Sequence, residues 1–166
     1  MIPIIGINFR NALYPAIRAL FIFFIGALSY GTIEVLTRGF THISMGFLGG
    51  ISFMFISYTS KLRRADKLSL IQQLIVCALF ITTAELLCGM ITNLIMGLAI
   101  WDYSDMPFNY LGQICLPFSL IWATITYLGI IVEERIRIVL FHQSIPCVRL
   151  RHFNKETATR EISLPL

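Results

Sequence analysis

The chain has 166 residues, of which 57% are hydrophobic and 13% charged, with a mean hydropathy of +0.78 and a formal net charge of +4. A soluble domain of this length is closer to half apolar and a quarter charged. The composition therefore excludes an ordinary soluble domain and indicates an integral membrane protein. The positive charge does not require a nucleic-acid partner, because the placement of the basic residues explains it.

Apolar segments alternate with short polar ones along the chain. A bilayer core of about 30 Å needs about 20 residues of helix, and four segments reach that length. The predicted spans are about 16–36, 40–59, 69–89 (with a continuation toward residue 100) and 111–132. The fold class predicted is all-α, a polytopic membrane helix bundle. Residues 1–143 form its transmembrane domain, and residues 144–166 form a short basic cytoplasmic tail.

The second span has the lowest apolar content, because it contains several glycines and hydroxyl residues. Small residues allow helix backbones to approach each other closely in lipid. We therefore predict that this span is a closely packed helix.

The basic residues are unevenly distributed between the two sides of the predicted membrane domain. Twelve of the thirteen lysines and arginines lie next to the chain ends or in the segment 61–67, and only Arg38 lies on the opposite side. Loops that face the cytoplasm carry an excess of Lys and Arg. This predicts that both termini are cytoplasmic and that the segment 101–109 faces outward.

Motifs for soluble enzyme chemistry are absent from the sequence. It contains no GxxxxGK[ST] phosphate-binding loop, no HExxH zinc motif and no GxSxG nucleophile motif. The four cysteines show no CxxC spacing and are interpreted as packing residues. We predict no enzyme activity, no catalytic residue, no cofactor and no metal site.

Glu85 is the most informative single residue, because a carboxylate inside an apolar span costs a few kcal/mol. Gly89, Asn93 and Gly97 follow it at steps of four, which would place all four on one helix face. One interpretation is a polar cavity for a cation, a proton or a substrate. The other is a carboxyl that hydrogen-bonds to a neighbouring helix and stabilises the bundle.

A second carboxylate, Glu34, lies near the outer end of the first span. Arg38 follows four residues later, which predicts an ion pair on one helix face. Shifting the chain by 51 residues aligns 24–46 with 75–97 and places Glu34 over Glu85. Such a duplication would make the bundle a parallel tandem repeat of two-helix units.

Residues 101–118 form a dense polar and aromatic segment between the third and fourth spans. Trp101 and Tyr103 are predicted to lie at the outer headgroup level. The segment is interpreted either as a rigid hairpin or as an outer cap over Glu85. Its candidate binding residues are Asp102, Tyr103, Ser104, Asn109 and Gln113.

The pattern WDYSxxPFNxxGQICLxFSxxW, from Trp101 to Trp122, resembles the hallmark of the "putative ABC-transporter type IV" family, small bacterial membrane proteins that include CmpB-like permeases. The spacing of Glu85, Gly89 and Asn93 also matches. The resemblance covers about residues 20–135. It implies transport across a bacterial cytoplasmic membrane and a separate ATPase subunit as partner. The chain departs from the family after the first helix, where THISMGFLGGISFMF contains no proline.

Two functional hypotheses remain open at this point. In the first, the chain is a permease-like component that binds or moves a small solute or ion, using Glu85, Asn93 and the outer cap. In the second, it is a non-transporting sensor, assembly factor or anchor that acts through its tail. Membrane lipids surround it in either case, and its small core predicts a homo-oligomer.

Overall fold

The computed structural model describes residues 9–141. The predicted tail, 144–166, lies outside the described residues. A π-helical segment, Met90–Ile95, extends the third helix, and a two-stranded antiparallel hairpin, β1 (Asn109–Tyr110) with β2 (Ile114–Cys115), precedes the fourth. The α-helices are α1 (Phe9–Arg38), α2 (Ile43–Arg64), α3 (Leu70–Gly89) and α4 (Leu116–Val139). The all-α class is confirmed.

All four helices are long and apolar enough to cross a membrane, when the third is taken with its π-helical extension to Ile95. The number of predicted spans is therefore confirmed. The fourth helix begins at Leu116 rather than at 111, because the preceding residues form the hairpin. It also continues to Val139 and so includes charged residues that lie beyond the predicted span.

Successive helices run in opposite directions along the bundle. We call the end that contains the turn after Arg38 and the connection 96–115 the loop end. The opposite end, with the turn 65–69 and both ends of the described chain, is the terminal end. Local signals set the helix starts: Ser69 and Gln72 form a capping box on α3, and Pro117 occupies the first turn of α4, where proline is well tolerated.

Helix α2 is the central helix of the bundle. Half of its membrane-spanning window is buried, compared with 17% to 22% for the other three helices. Its backbone approaches α1 so closely that a Cβ atom added to Gly49 would lie 2.8 Å from the carbonyl oxygen of Gly26. The close packing predicted from the small residues of this span is therefore present.

The middle of the bundle is apolar. Its core cluster joins Ile22, Phe53, Ile56, Cys77 and Ile130 from all four helices. Large apolar side chains also cover the outer surface, as expected for helices surrounded by lipid. Apart from Ser52 and Thr126, the buried polar side chains lie toward the two ends of the bundle, and a functional site is expected in one of these polar regions.

Candidate functional site

Glu85 lies in the bundle near the loop end and is 1% exposed. Its carboxylate accepts two hydrogen bonds, from Trp122 Nε1 at 2.9 Å and from the Tyr103 hydroxyl at 3.3 Å. Among the side chains of residues 15–141, no basic group lies within ion-pairing distance of it. Helix α3 thus carries a buried carboxyl whose hydrogen-bond donors are neutral aromatic groups.

Aromatic rings surround this carboxyl. Tyr30 of α1 stacks on Trp122 of α4 with ring centroids 5.7 Å apart, and Tyr103 stacks on Phe118 at 4.7 Å. We call Glu85 and these four rings the Glu85 site. Its members come from three helices and from the 96–115 connection, so the site depends on the tertiary fold.

Tyr103 is the member of the Glu85 site that lies outside the helices. Burial, reinforced by the nearby Glu85 carboxylate, raises the pKa of the Tyr103 phenol well above its ordinary value. The phenol therefore stays protonated at physiological pH and donates its hydrogen bond. A buried carboxylate whose hydrogen-bond donors are all neutral can bind a proton or a small cation.

The ion pair predicted between Glu34 and Arg38 is present, and Glu34 is buried. Thr41 donates a second hydrogen bond to the Glu34 carboxylate at 2.6 Å, and Arg38 Nη1 donates to the carbonyl of Ile100 at 3.2 Å. The pair thus links α1 to the start of α2 and to the 96–115 connection. Its charges are satisfied within the protein, which indicates a structural role.

Asn93 fixes the 96–115 connection beside the Glu85 site. Its amide nitrogen donates to the carbonyl of Trp101 at 3.0 Å and to Gln113 Oε1 at 2.8 Å. Its amide oxygen accepts from the backbone N–H of Ile100 at 2.7 Å. Asn93 and Gln113 are therefore brought together, as part of the support for the site rather than of its carboxyl pocket.

The remaining candidates bond within the connection itself. Asp102 accepts from the Ser104 hydroxyl at 2.5 Å and from its backbone N–H at 2.8 Å, and these hydrogen bonds lower the pKa of the Asp102 carboxyl. Asn109 donates to the carbonyls of Ser104 and Met106, at 2.9 Å each. All three candidates are exposed, so they shape the loop and do not contact Glu85.

Gly112 closes this turn in the left-handed region, with φ +66°. A Cβ atom there would lie 2.7 Å from Asp102 Oδ1 and 2.6 Å from the Ser104 hydroxyl oxygen. Only glycine avoids both the backbone strain and this crowding. The conformation of the turn therefore requires glycine at this position.

One expectation about this region is corrected: Gly97 does not continue the Glu85 face. The π-helical segment changes the helical pitch, and Gly97 lies beyond its end, exposed and with φ +67°. Trp101 is 6% exposed and its indole donates to the carbonyl of Gln113 at 2.9 Å, while its place at the headgroup level stays a prediction. Sequence reasoning also missed Tyr30 and gave Trp122 no role.

A second polar cluster, at the terminal end, was missed entirely. Glu133 is 1% exposed and lies 3.0 Å from Arg64 Nη1 and 3.7 Å from Arg18 Nη2, and it accepts from the Ser57 hydroxyl at 3.3 Å. The signal is in the spacing along α4. Its buried residues recur every three or four positions, at Trp122, Thr126, Ile130, Glu133 and Arg137.

The described residues, 9–141, hold no group of three or more His, Cys, Asp or Glu side chains arranged to bind a metal ion. Comparison with protein families matches residues 21–148 to a family described as "putative ABC-transporter type IV". The chain belongs to that family. Comparisons with curated proteins and with solved structures gave no match. The family and the four apolar helices together identify a membrane protein related to transport.

Proposed function

We propose that this chain is the membrane-spanning component of a transporter and that the Glu85 site binds a proton or a small cation during transport. The observation that carries the proposal is the Glu85 carboxyl, buried in a membrane span with two neutral hydrogen-bond donors. An ionised carboxylate there lacks a directly bonded counter-charge. Binding a proton or a cation removes the free-energy cost of burying this charge.

The connection 96–115 supplies the means of access. Tyr103 lies in this connection, outside the helices, and its hydroxyl covers one oxygen of Glu85 at 3.3 Å. A displacement of Tyr103 would open the carboxyl to the loop end while Trp122 still held its other oxygen. The arrangement supports alternating closed and open states, with Tyr103 as the moving group.

The family description supports a separate ATPase subunit as the energy source. The sequence itself carries no phosphate-binding loop, so ATP would have to be hydrolysed by another chain. That partner would dock at the terminal end, which the distribution of basic residues predicts to be cytoplasmic. A bacterial cytoplasmic location and assembly as a homo-oligomer belong to the same proposal.

A fluorescence titration of the purified protein tests the Glu85 site directly. Because Trp122 donates to Glu85, a change in the carboxyl's charge alters the indole emission. We expect a single titration in the wild type that is absent in Glu85→Gln and retained in Glu134→Gln. Glu134 is a matched control, since its side chain is 38% exposed and already paired with Arg63.

Proteoliposomes carrying a pH-sensitive dye then test movement of the proton. Flux driven by a membrane potential should fall at least about tenfold in Glu85→Gln, because the variant cannot exchange a proton. Equal titration and equal flux in the wild type and Glu85→Gln would refute the proposal. Co-purification of an ATPase with the wild type would support ATP hydrolysis as the energy source for transport.

A further inference from the structure

A cavity of about 450 Å³ lies between α1 and α2 at the terminal end. Three basic side chains line it, Arg18, Lys61 and Arg64. Glu133 lies behind the cavity, on α4. Its distance from Trp122 along that helix is about 16 Å, at a rise of 1.5 Å per residue. The cavity is therefore separate from the Glu85 site and lies at the opposite end of the bundle.

The charges around this cavity do not balance. Glu133 is shared by Arg18 and Arg64, which lie 3.7 Å and 3.0 Å from it. Lys61 forms no ion pair with any side chain of residues 15–141. The three cations that line the cavity are thus matched by one buried carboxylate, that of Glu133. An anion in the cavity would reduce this excess.

Two of the three basic side chains are also held in place before any ligand arrives. Arg64 is fixed by Glu133, and the Arg18 guanidinium lies 4.9 Å from the centroid of the Phe141 ring. Pre-placed guanidinium groups suit the oxygens of a phosphate group.

The cavity is not closed off from the lipid. Ile22 and Met54 line it on the side toward the apolar middle of the bundle. Met54 and Tyr58 are 39% and 58% exposed, on a surface that faces the bilayer. A ligand with a phosphate at the level of Lys61 and a hydrocarbon chain along Met54 would match both parts of the cavity.

From these observations we infer that the α1–α2 cavity binds a phosphate-bearing anion and that the headgroup of an anionic phospholipid is its source. Arg18, Lys61 and Arg64 contact the phosphate, and the acyl chain lies along Met54. The inference does not depend on transport, because it uses none of the residues of the Glu85 site.

Native mass spectrometry of the full chain, released from membranes of mixed phosphatidylglycerol and phosphatidylcholine, tests the inference. We expect the wild type to retain phosphatidylglycerol in preference to phosphatidylcholine. Lys61→Gln should lower that retention about fivefold, the effect of one basic residue near an anionic surface. Lys67→Gln makes the same charge change in the neighbouring turn, away from the cavity, and should have no effect.

A gain-of-binding variant guards against misfolding as an explanation. Glu133→Gln removes the carboxylate behind the cavity, so retention of phosphatidylglycerol should rise. Equal losses in Lys61→Gln and Lys67→Gln, or no preference for phosphatidylglycerol in the wild type, would overturn the inference. A second result would overturn the lipid as the source of the phosphate. If inorganic phosphate stabilised the wild type in lipid-free detergent but did not stabilise Lys61→Gln, the ligand would be a soluble phosphate compound.

Discussion

At the scale of single residues, Asn93 shows how one side chain holds the loop end together. Its amide satisfies three separate groups of the 96–115 connection, all within 3.0 Å. Asn93 therefore determines where Trp101 and Gln113 lie, and through them the position of the loop that carries Tyr103.

Asn93→Ala should destabilise the protein by about 2 kcal/mol, because the backbone N–H of Ile100 and the carbonyl of Trp101 lose their partner. The measurement is unfolding in mixed micelles, with helix content as the readout. Thr83→Ala is the control, since that hydroxyl bonds only to its own helix and is exposed. Equal midpoints for the two variants would contradict the assigned role.

The chemistry of Glu85 could be read from the sequence, but the groups that contact it could not. The sequence alone identifies a carboxylate within an apolar segment as unusual, because lipid gives it no partner. Tyr103 and Trp122 reach it from positions 18 and 37 residues away. Their approach depends on helix packing and on the loop conformation, which no local pattern determines.

At the scale of elements, the helices themselves were predictable because their apolar length is a direct requirement of the bilayer. The ends were less predictable. Residues 111–115, predicted as the start of the last span, belong instead to the hairpin. At its other end α4 continues past the predicted limit of residue 132 to Val139, since Arg18 and Arg64 neutralise the charge of Glu133 inside the bundle.

The α1–α2 contact gives an element-scale prediction. Gly49→Ala should destabilise the bundle by about 1–3 kcal/mol, because its new methyl group would contact the Gly26 carbonyl and the Tyr30 side chain and force the helices apart. Gly46→Ala lies three residues earlier on the same helix, and its methyl would meet only ordinary contact at 3.9 Å. Thermal unfolding should give a lower midpoint for Gly49→Ala than for Gly46→Ala. A similar loss of stability in both variants would argue against the close approach of the α1 and α2 backbones.

At the scale of the whole molecule, the distribution of basic residues predicts the orientation in the membrane. With the terminal end in the cytoplasm, a cysteine in place of Asp105 should react with a membrane-impermeant maleimide in intact cells. A cysteine in place of Ala65 should react only after permeabilisation. Both positions are exposed, and the unsubstituted protein supplies the background. Labelling of Ala65→Cys in intact cells would reverse the predicted orientation.

The apolar cluster of Ile22, Phe53, Ile56, Cys77 and Ile130 has an electrical consequence. It lies between the polar loop end and the polar terminal end and brings all four helices into contact. An ion within this packed apolar cluster would lose its hydration shell, which is costly. The bundle in this conformation is therefore closed to hydrated ions, and the proton movement proposed above requires a rearrangement of the helices around this cluster.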